Sequence, residues 1–200
     1  MGGSAIHMHG GLPLHHFETE AQFERWIRSN FKETDGIWLA FAKKGTGVPS
    51  ITYVEAREVA IRWGWIDGLK NKLDETHYVL RFTPRRKRSR WSQINREIAE
   101  GLIAEGRMEP SGLAEVEAAR KDGRWAAAYP PASKIDLHPE LRRALAEAPR
   151  AKQAFEGLSA ANRYAILYSV HDARRDETRT RRIAKYVAML EAGDVPHPDR

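Results

Sequence analysis

The segment from Ile37 to Phe41 constrains the fold of this 200-residue chain more than any other, because all five of its residues are apolar. Successive side chains of a β-strand point to opposite faces of the sheet, so a strand of this composition is buried on both faces. Gly36 precedes the segment, and a turn sequence at residues 43–47 follows it. The pattern therefore predicts a buried strand.

Helix signals lie on both sides of this strand. Thr19 and Gln22 have the spacing of a capping box, and so have Thr52 and Glu55, which predicts a helix after each pair. Gly64 is placed to end the second helix in a left-handed cap. That helix carries an apolar stripe, which consists of Ala56, Val59, Ala60 and Trp63.

Two further strand patterns come next. Residues 65–68 indicate a short strand and a turn, and residues 78–82 alternate until Pro84 ends them. Ser92 and Pro110 then mark the starts of two helices. The N-terminal part is therefore predicted to hold two or three strands among several helices.

A proline-rich break divides the chain at residues 129–133, and the patterns beyond it are helical. We predict an α+β domain over residues 12–130 and a helical module over residues 137–193, preceded by a disordered leader at residues 1–11. The predicted fold class is α+β, mainly helical with a small β element in the N-terminal part, followed by a helical C-terminal module. The last helix is predicted from the stripe of Ile183, Val187 and Leu190.

The composition excludes several kinds of site. The chain has no cysteine, which excludes disulfides, thiolate metal sites and cysteine nucleophiles. Its eight histidines have no ligand spacing, so neither a metal nor a cofactor is expected. No apolar run approaches the ~18 residues that span a bilayer, so membrane insertion is not expected. The N-terminus does not resemble a secretory signal, from which we expect a cytoplasmic location.

The centre of the chain is rich in arginine and tryptophan, with six basic residues and no acid between Arg81 and Arg90. Arginine contacts phosphate or carboxylate with two nitrogens and stacks on aromatic rings, so this region predicts an anion-binding site. Asp67 would orient one guanidinium or act as an acid or base. The candidate residues are Trp65, Asp67, Arg81, Arg85, Arg86, Trp91 and Asn95. The alternative is structural: core tryptophans, solvated arginines and an Arg–Asp pair that only stabilises the fold.

A second arginine cluster lies in the predicted last helix. Arg175, Arg179 and Arg182 share one face at helical spacing. This face is either solvated or docks onto an acidic protein surface. The two readings stay open at this point.

Several strings resemble the YdeI/OmpD-associated (OmdA) family of bacterial proteins. The most specific are Gly-Trp-Ile-Asp-Gly at residues 64–68 and Arg-Phe-Thr-Pro-Arg-Arg at residues 81–86. Residues 137–193 resemble the helical C-terminal module of that family. The resemblance implies bacteriocin protection or stress resistance and an association with an outer-membrane porin. It also implies a periplasmic location, from which the absence of a secretory signal departs, and it supplies no catalytic residue.

Three functions follow from these observations. The first is a non-enzymatic stress or protection protein that binds a partner or an anionic small ligand through its Arg/Trp centre. The second is weak, sequence-independent binding of nucleic acid, since the calculated pI is about 9.6. The third is an enzyme with Asp67 and the arginines in one pocket. No motif identifies a reaction, which favours the first.

Overall fold

The structure, a computed structural model, describes residues 8–198. They form two compact units, one that ends at Ala128 and one that begins at Tyr129. The division lies beside the proline-rich segment of residues 129–133. The described residues of the first unit form three hydrophobic clusters, and those of the second form one.

The N-terminal unit combines a sheet with four helices. In chain order its elements are β1 (Met8–His9), β2 (Leu12–His16), α1 (Glu20–Asn30), β3 (Ile37–Ala42), α2 (Tyr53–Arg62), β4 (Trp65–Lys72), β5 (His77–Pro84), α3 (Gln93–Ala104) and α4 (Pro110–Lys121). The strands at residues 37–41 and 78–82 and the helices after Thr52, Ser92 and Glu109 agree with the sequence patterns.

The five strands form one mixed sheet in the order β1-β2-β3-β5-β4. Strand β2 runs parallel to β3, and the other neighbouring pairs are antiparallel. The prediction of a mainly helical fold with a small β element is therefore wrong. Helices make up 47% of the structure, and the N-terminal part holds a full five-stranded sheet, so the architecture is α+β.

The missed strands lack a local strand pattern. Strand β2 contains Pro13 and ends in two histidines, and β1 has only two residues. The second half of β4 is exposed and polar, ending in Asn71 and Lys72. Strand β2 and the second half of β4 become strands because β3 and β5 supply hydrogen-bonding partners from elsewhere in the chain, and β1 then pairs with β2. The sequence predicts a disordered leader over residues 1–11. Met8 and His9 of this segment form β1, and residues 1–7 lie outside the described residues.

The sheet has an apolar layer on each face. On one face Ile37, Leu39 and Phe82 pack with side chains of α1 and α2, including Phe23 and Val59. The opposite face carries a smaller cluster of Trp38, Ala40 and Val79, partly covered by Leu12, Leu14 and Leu73. Strand β3 is thus buried on both faces, as its sequence predicts.

Helix α2 begins and ends at the predicted signals. The Thr52 side chain accepts a hydrogen bond from the backbone of Glu55, whose carboxylate accepts one from the backbone of Thr52 in return. Gly64 follows the helix with φ of +79°, and a side chain there would meet the backbone oxygen of Ser111 at 2.9 Å. This region therefore requires glycine for both its backbone angle and its packing.

The C-terminal unit is helical, as predicted. It contains α5 (Pro139–Glu147), α6 (Pro149–Glu156), α7 (Ala160–His171) and α8 (Asp176–Glu191). Its core holds Leu141, Phe155 and Ile166 together with Ile183 and Leu190 of the predicted stripe. None of the helices within residues 8–198 combines the length and apolar character needed to cross a bilayer.

Candidate functional site

The structure distributes the predicted anion-site residues over three places. Trp65 is 1% exposed in the main core, and Asp67 follows it on the same face of β4. Arg81 pairs with Trp38 across the sheet and therefore lies on the opposite face from Phe82, the partner of Asp67. In the described chain no arginine lies within ion-pair distance of Asp67. The structure therefore does not place Asp67 and Arg81 together, and their joint ligand role stays a prediction.

Arg85 and Trp91 pack against each other in the third place. The Arg85 guanidinium carbon lies 3.5 Å from the centre of the Trp91 ring, and the two side chains are 6% and 1% exposed. Arg85 also donates from Nη1 to the backbone oxygen of Arg90 at 3.2 Å. Asn95, 8% exposed, lies in the first turn of α3 nearby in sequence. This stack closes the base of the loop that joins β5 to α3.

The loop above this base exposes the remaining cations. Its turn is held by the backbone of Arg86, which donates to Ser89 Oγ at 2.9 Å, and by Arg124, which donates to the Ser89 backbone oxygen at 2.8 Å. The side chains of Arg86, Lys87 and Arg88 are exposed. Within residues 8–198 their charged groups make no hydrogen bond or ion pair. We call these three residues the basic loop.

A cavity of about 500 Å³ lies elsewhere in the unit, between the loop after β3 and the start of α2. Of the described residues that line it, none is acidic, and two are lysines. They are Phe41, Ala42, Lys43, Lys44, Gly45, Thr46, Gly47, Val48, Ser50, Ile51, Thr52, Tyr53 and Tyr78. We call this space the glycine-loop cavity.

The loop of this cavity leaves backbone donors available. Gly45 and Gly47 have φ of +87° and +70°, and a Cβ at either position would meet no atom within 4 Å. The N–H groups of Lys44, Gly45, Gly47 and Val48 donate no hydrogen bond within the described part of the chain. Successive free N–H groups in a turn are favourable partners for an anion.

The two lysines of this loop differ in their hydrogen bonding. The Lys43 ammonium donates to the backbone oxygens of Asp74 and Glu75 at 2.8 and 3.1 Å. Lys44 is exposed and, among the described residues, has no hydrogen-bond or ion-pair partner. One lysine is therefore structural, and the other is available to a ligand.

Aromatic rings form the wall of the glycine-loop cavity, and cations lie against them. Tyr78 stacks on Phe41 with ring centres 5.3 Å apart, and the Lys70 ammonium lies 4.2 Å from the Tyr78 ring centre. The Arg57 guanidinium lies 5.1 Å from the Tyr53 ring centre. Arg57 Nε is buried and has no hydrogen-bond partner among the described residues. Positive charge thus lies beside both tyrosines.

Tyr53 connects this cavity to Asp67. Its hydroxyl donates to Asp67 Oδ2 at 2.9 Å. Burial and the adjacent Asp67 carboxylate raise the pKa of Tyr53 to about 12, which the nearby Arg57 partly opposes. Tyr53 is therefore neutral at physiological pH and keeps its hydroxyl directed at Asp67. Burial also raises the pKa of Tyr78.

A second cavity with opposite charge lies on the other side of residues 50–52. It measures about 510 Å³, and four glutamates line it: Glu18, Glu20, Glu24 and Glu55. Ser50 and Thr52 line both cavities. Acidic side chains therefore line one side of this segment, and lysines line the other. In the described chain no group of three or more His, Asp or Glu side chains is arranged to hold a metal ion.

The second arginine cluster makes contacts within its own unit. Arg179 donates to both carboxylate oxygens of Glu140 at 3.1 Å and to Asp176 at 2.6 Å. Arg182 donates to the backbone oxygen of Ser169 and lies 3.5 Å from Asp172. Arg175 is exposed at the start of α8. Docking of this face onto an acidic protein stays a prediction.

The sequence patterns drew no attention to Tyr53, Arg57, Lys70 and Tyr78. Tyrosines at the start of a helix and within a strand are typical of core residues, and the glycine pair at residues 45 and 47 is typical of a turn. The available signal was the segment Lys44-Gly45-Thr46-Gly47, which contains no acid, but residues of α2 and β5 join it in lining a cavity only in the folded chain.

The comparisons with known proteins agree with the two-part organisation. One family model, described as a domain of unknown function (DUF8412), matches residues 15–115, about half of the chain. A second, OmdA, described as "Bacteriocin-protection, YdeI or OmpD-Associated", matches residues 134–193 and confirms the resemblance of the C-terminal module. No curated protein and no solved structure matches the chain significantly. The chain thus belongs to the DUF8412 family and carries an OmdA domain in its C-terminal unit.

Proposed function

We propose that the N-terminal unit binds a small anionic ligand in the glycine-loop cavity, and that the protein acts by binding and not by a reaction of its own. The observation that carries this proposal is that one cavity is lined by Lys44, by two tyrosines and by four residues whose backbone N–H groups donate no hydrogen bond among the described residues. A phosphate or carboxylate satisfies the N–H groups and the ammonium, because each donates to oxygen. The proposed site thus differs from the Arg/Trp centre that the sequence predicts, and Tyr53 links it to Asp67.

The neighbouring groups support a ligand that carries a flat ring beside its anion. Small-molecule sites combine mostly apolar walls with a few convergent polar groups, which matches Phe41, Tyr53 and Tyr78 around Lys44. Tyr53 is neutral at neutral pH, and its hydroxyl donates to Asp67. Lys70 and Arg57 add positive potential from outside the lining.

A thermal-shift titration tests this function. Phosphate, pyrophosphate, citrate and adenosine monophosphate are added separately to the wild type and to Lys44→Gln. We expect at least one of these anions to raise the melting temperature of the wild type, since a ligand at 100 times its Kd adds ~2.7 kcal/mol. Lys44→Gln should weaken that ligand about tenfold, the effect of ~1.4 kcal/mol.

Lys121→Gln is the matched control, because Lys121 is an exposed lysine at the end of α4. It lowers the net charge equally and should leave the affinity unchanged. If no anion stabilises the wild type, or if both lysine variants lose affinity equally, the glycine-loop cavity is not an anion site.

The second candidate function is weak, sequence-independent binding of nucleic acid by the basic loop. It is favoured by one observation: the Arg85–Trp91 stack holds Arg86, Lys87 and Arg88 in solvent without partners among the described residues. Phosphate contacts release counterions, so such binding weakens steeply with salt. Three cations on a short loop provide few contacts, which is why we rank this function second.

Fluorescence anisotropy with a labelled single-stranded 20-mer tests this candidate. Replacing Arg86, Lys87 and Arg88 by alanine should flatten the slope of log affinity against log salt by about 0.7 for each phosphate that the loop no longer neutralises. The control replaces three exposed arginines of the C-terminal unit, Arg142, Arg143 and Arg150. An equal weakening of binding in both triple variants would indicate a net-charge effect and contradict a role for the loop.

The family description supports a wider role in protection from bacteriocins. We propose that ligand binding in the N-terminal unit serves this role in the cytoplasm. Production of the protein in a sensitive bacterium should raise survival against a cationic bacteriocin, and Lys44→Gln should not. Protection that is equal with both proteins would detach this role from the cavity, and recovery in the periplasmic fraction would contradict the location.

A further inference from the structure

The C-terminal unit contains a cavity of about 660 Å³ between α7 and α8. Its lining combines three tyrosines with small residues and one Arg–Asp pair. The residues are Ala161, Tyr164, Ala165, Tyr168, Ser169, Asp172, Arg182, Tyr186 and His197. We call this space the tyrosine groove. It lies in the unit that carries the OmdA domain and has no part in the function proposed above.

The walls of the tyrosine groove are held by other side chains. Tyr164 and Tyr168 lie one turn apart on α7 with ring centres 5.7 Å apart. The ring of Tyr129 meets that of Tyr168 edge to face at 5.0 Å. The charge of Arg182 is used within the groove, because it contacts Asp172 and the backbone oxygen of Ser169. The groove therefore offers aromatic surface with a compensated charge.

A buried asparagine beside the groove binds a peptide backbone. Asn162, 7% exposed, accepts from the backbone N–H of His197 at 2.8 Å and donates to the backbone oxygen of His197 at 3.2 Å. These two bonds recognise a residue through its main chain, whatever its side chain is. His197 stands between Pro196 and Pro198, and proline has no N–H. Asn162 thus takes the one N–H that a Pro-X-Pro segment offers.

We propose that the tyrosine groove is a binding site for a proline-containing peptide. When no partner is bound, residues 195–198 of the chain occupy Asn162 through the backbone of His197. Proline rings pack on flat aromatic side chains, and grooves lined by aromatic residues are a general means of binding proline-rich segments. The main-chain bonds of Asn162 favour a peptide over other ligands with the same apolar character. A partner peptide can form these hydrogen bonds with Asn162 only after residues 195–198 have left it.

Removal of the residues after Asp194 is therefore expected to make Asn162 available to a peptide. The probe is a fluorescein-labelled synthetic peptide with two Pro-X-Pro units, and its counterpart has alanine in place of every proline. A protein that ends at Asp194 should bind the proline peptide about tenfold more tightly than the full chain, because a tethered competitor acts at a high effective concentration. It should bind the alanine peptide about tenfold more weakly than the proline peptide.

Two variants of the shortened protein locate the binding. Asn162→Ala should bind at least tenfold more weakly, and Tyr186→Leu should do the same through the aromatic wall if Asn162→Ala fails to fold. Gln153→Ala, an exposed change on α6, is the control and should bind normally. Circular dichroism establishes that each variant is folded.

Equal affinity of the full and shortened proteins for the proline peptide would overturn the proposal. So would equal affinity for the proline and alanine peptides, or no binding of the proline peptide at ~1 mM.

Discussion

The two units of this protein use arginine and aromatic residues in different ways. In the N-terminal unit Arg85 is buried flat against Trp91, and neighbouring cations are left exposed. In the C-terminal unit Arg179 is forked between Glu140 and Asp176, so its charge is neutralised within the helices. The comparison teaches that an arginine-rich sequence indicates an anion site only where the fold leaves the guanidinium or ammonium groups without acidic partners.

The units also differ in how their cores are assembled. The N-terminal core joins a sheet to α1 and α2, with all six tryptophans of the chain in this unit. The C-terminal core consists of helices that follow one another directly in the chain. If this difference reflects two independent folding units, their stabilities can be changed separately, and tryptophan fluorescence reports on only one of them.

The largest expected effect comes from truncating a core aromatic residue in either unit. Trp91→Ala and Phe155→Ala should each cost about 3–5 kcal/mol, because both side chains are almost fully buried. Trp91→Ala should shift the transition seen by tryptophan fluorescence in urea, whereas Phe155→Ala should shift only a second transition seen by circular dichroism. A single transition that both changes move together would contradict independent domains divided near residue 130.

A smaller effect is expected at Tyr53 in alkaline solution. The folded pKa of about 12 exceeds the ordinary value of 10.0, so the stability from neutral Tyr53 is complete below pH 10 and is lost between pH 10 and 12. Because the group is only half-buried, solvent screening reduces the contribution to about 1 kcal/mol. Urea unfolding followed by tryptophan fluorescence should lose this pH dependence in Tyr53→Phe.

Tyr186→Phe serves as the control for this measurement, because Tyr186 lies in the other unit. It should leave the alkaline dependence of the fluorescence transition as it is in the wild type. A Tyr53→Phe protein that remains as alkali-sensitive as the wild type would assign the effect to other groups of the N-terminal unit.

The smallest effect is expected at the partly buried pair of Glu140 and Arg179. Hydrogen bonds from Arg179 hold the pKa of Glu140 below its ordinary value of 4.5. The pair therefore stabilises the C-terminal unit above pH 4.5 and ceases to do so as the pH falls through the lowered pKa. Glu140→Gln should flatten the acid dependence of the transition measured by circular dichroism. An unchanged acid dependence would mean that the ion pair of Arg179 with Glu140 adds no net stability.

How far the sequence predicted the fold can be judged from particular residues. Some features could be predicted because they depend on neighbours within a few positions. They are the capping box of Thr52 and Glu55, the helix end at Gly64 and the apolar stripe from Ile183 to Leu190. Strand β2 was missed because it pairs with β3, more than twenty residues later, and the two-residue β1 was missed because it pairs only with β2. The predicted anion site gathered residues close in sequence, although alternation along β5 directs Arg81 away from Asp67.

By itself the sequence determined the helical C-terminal module, the buried strand at residues 37–41 and the family of the C-terminal module, because each rests on local periodicity or on a contiguous string. Only the tertiary structure decided which cations are available to a partner. Lys43 and Lys44 are adjacent and chemically identical, and both line the cavity. Lys43 donates to carbonyl oxygens about thirty residues away, whereas Lys44 has no hydrogen-bond or ion-pair partner among the described residues. The availability of a charge depends on the groups that folding brings within hydrogen-bond distance, and composition does not encode that distance.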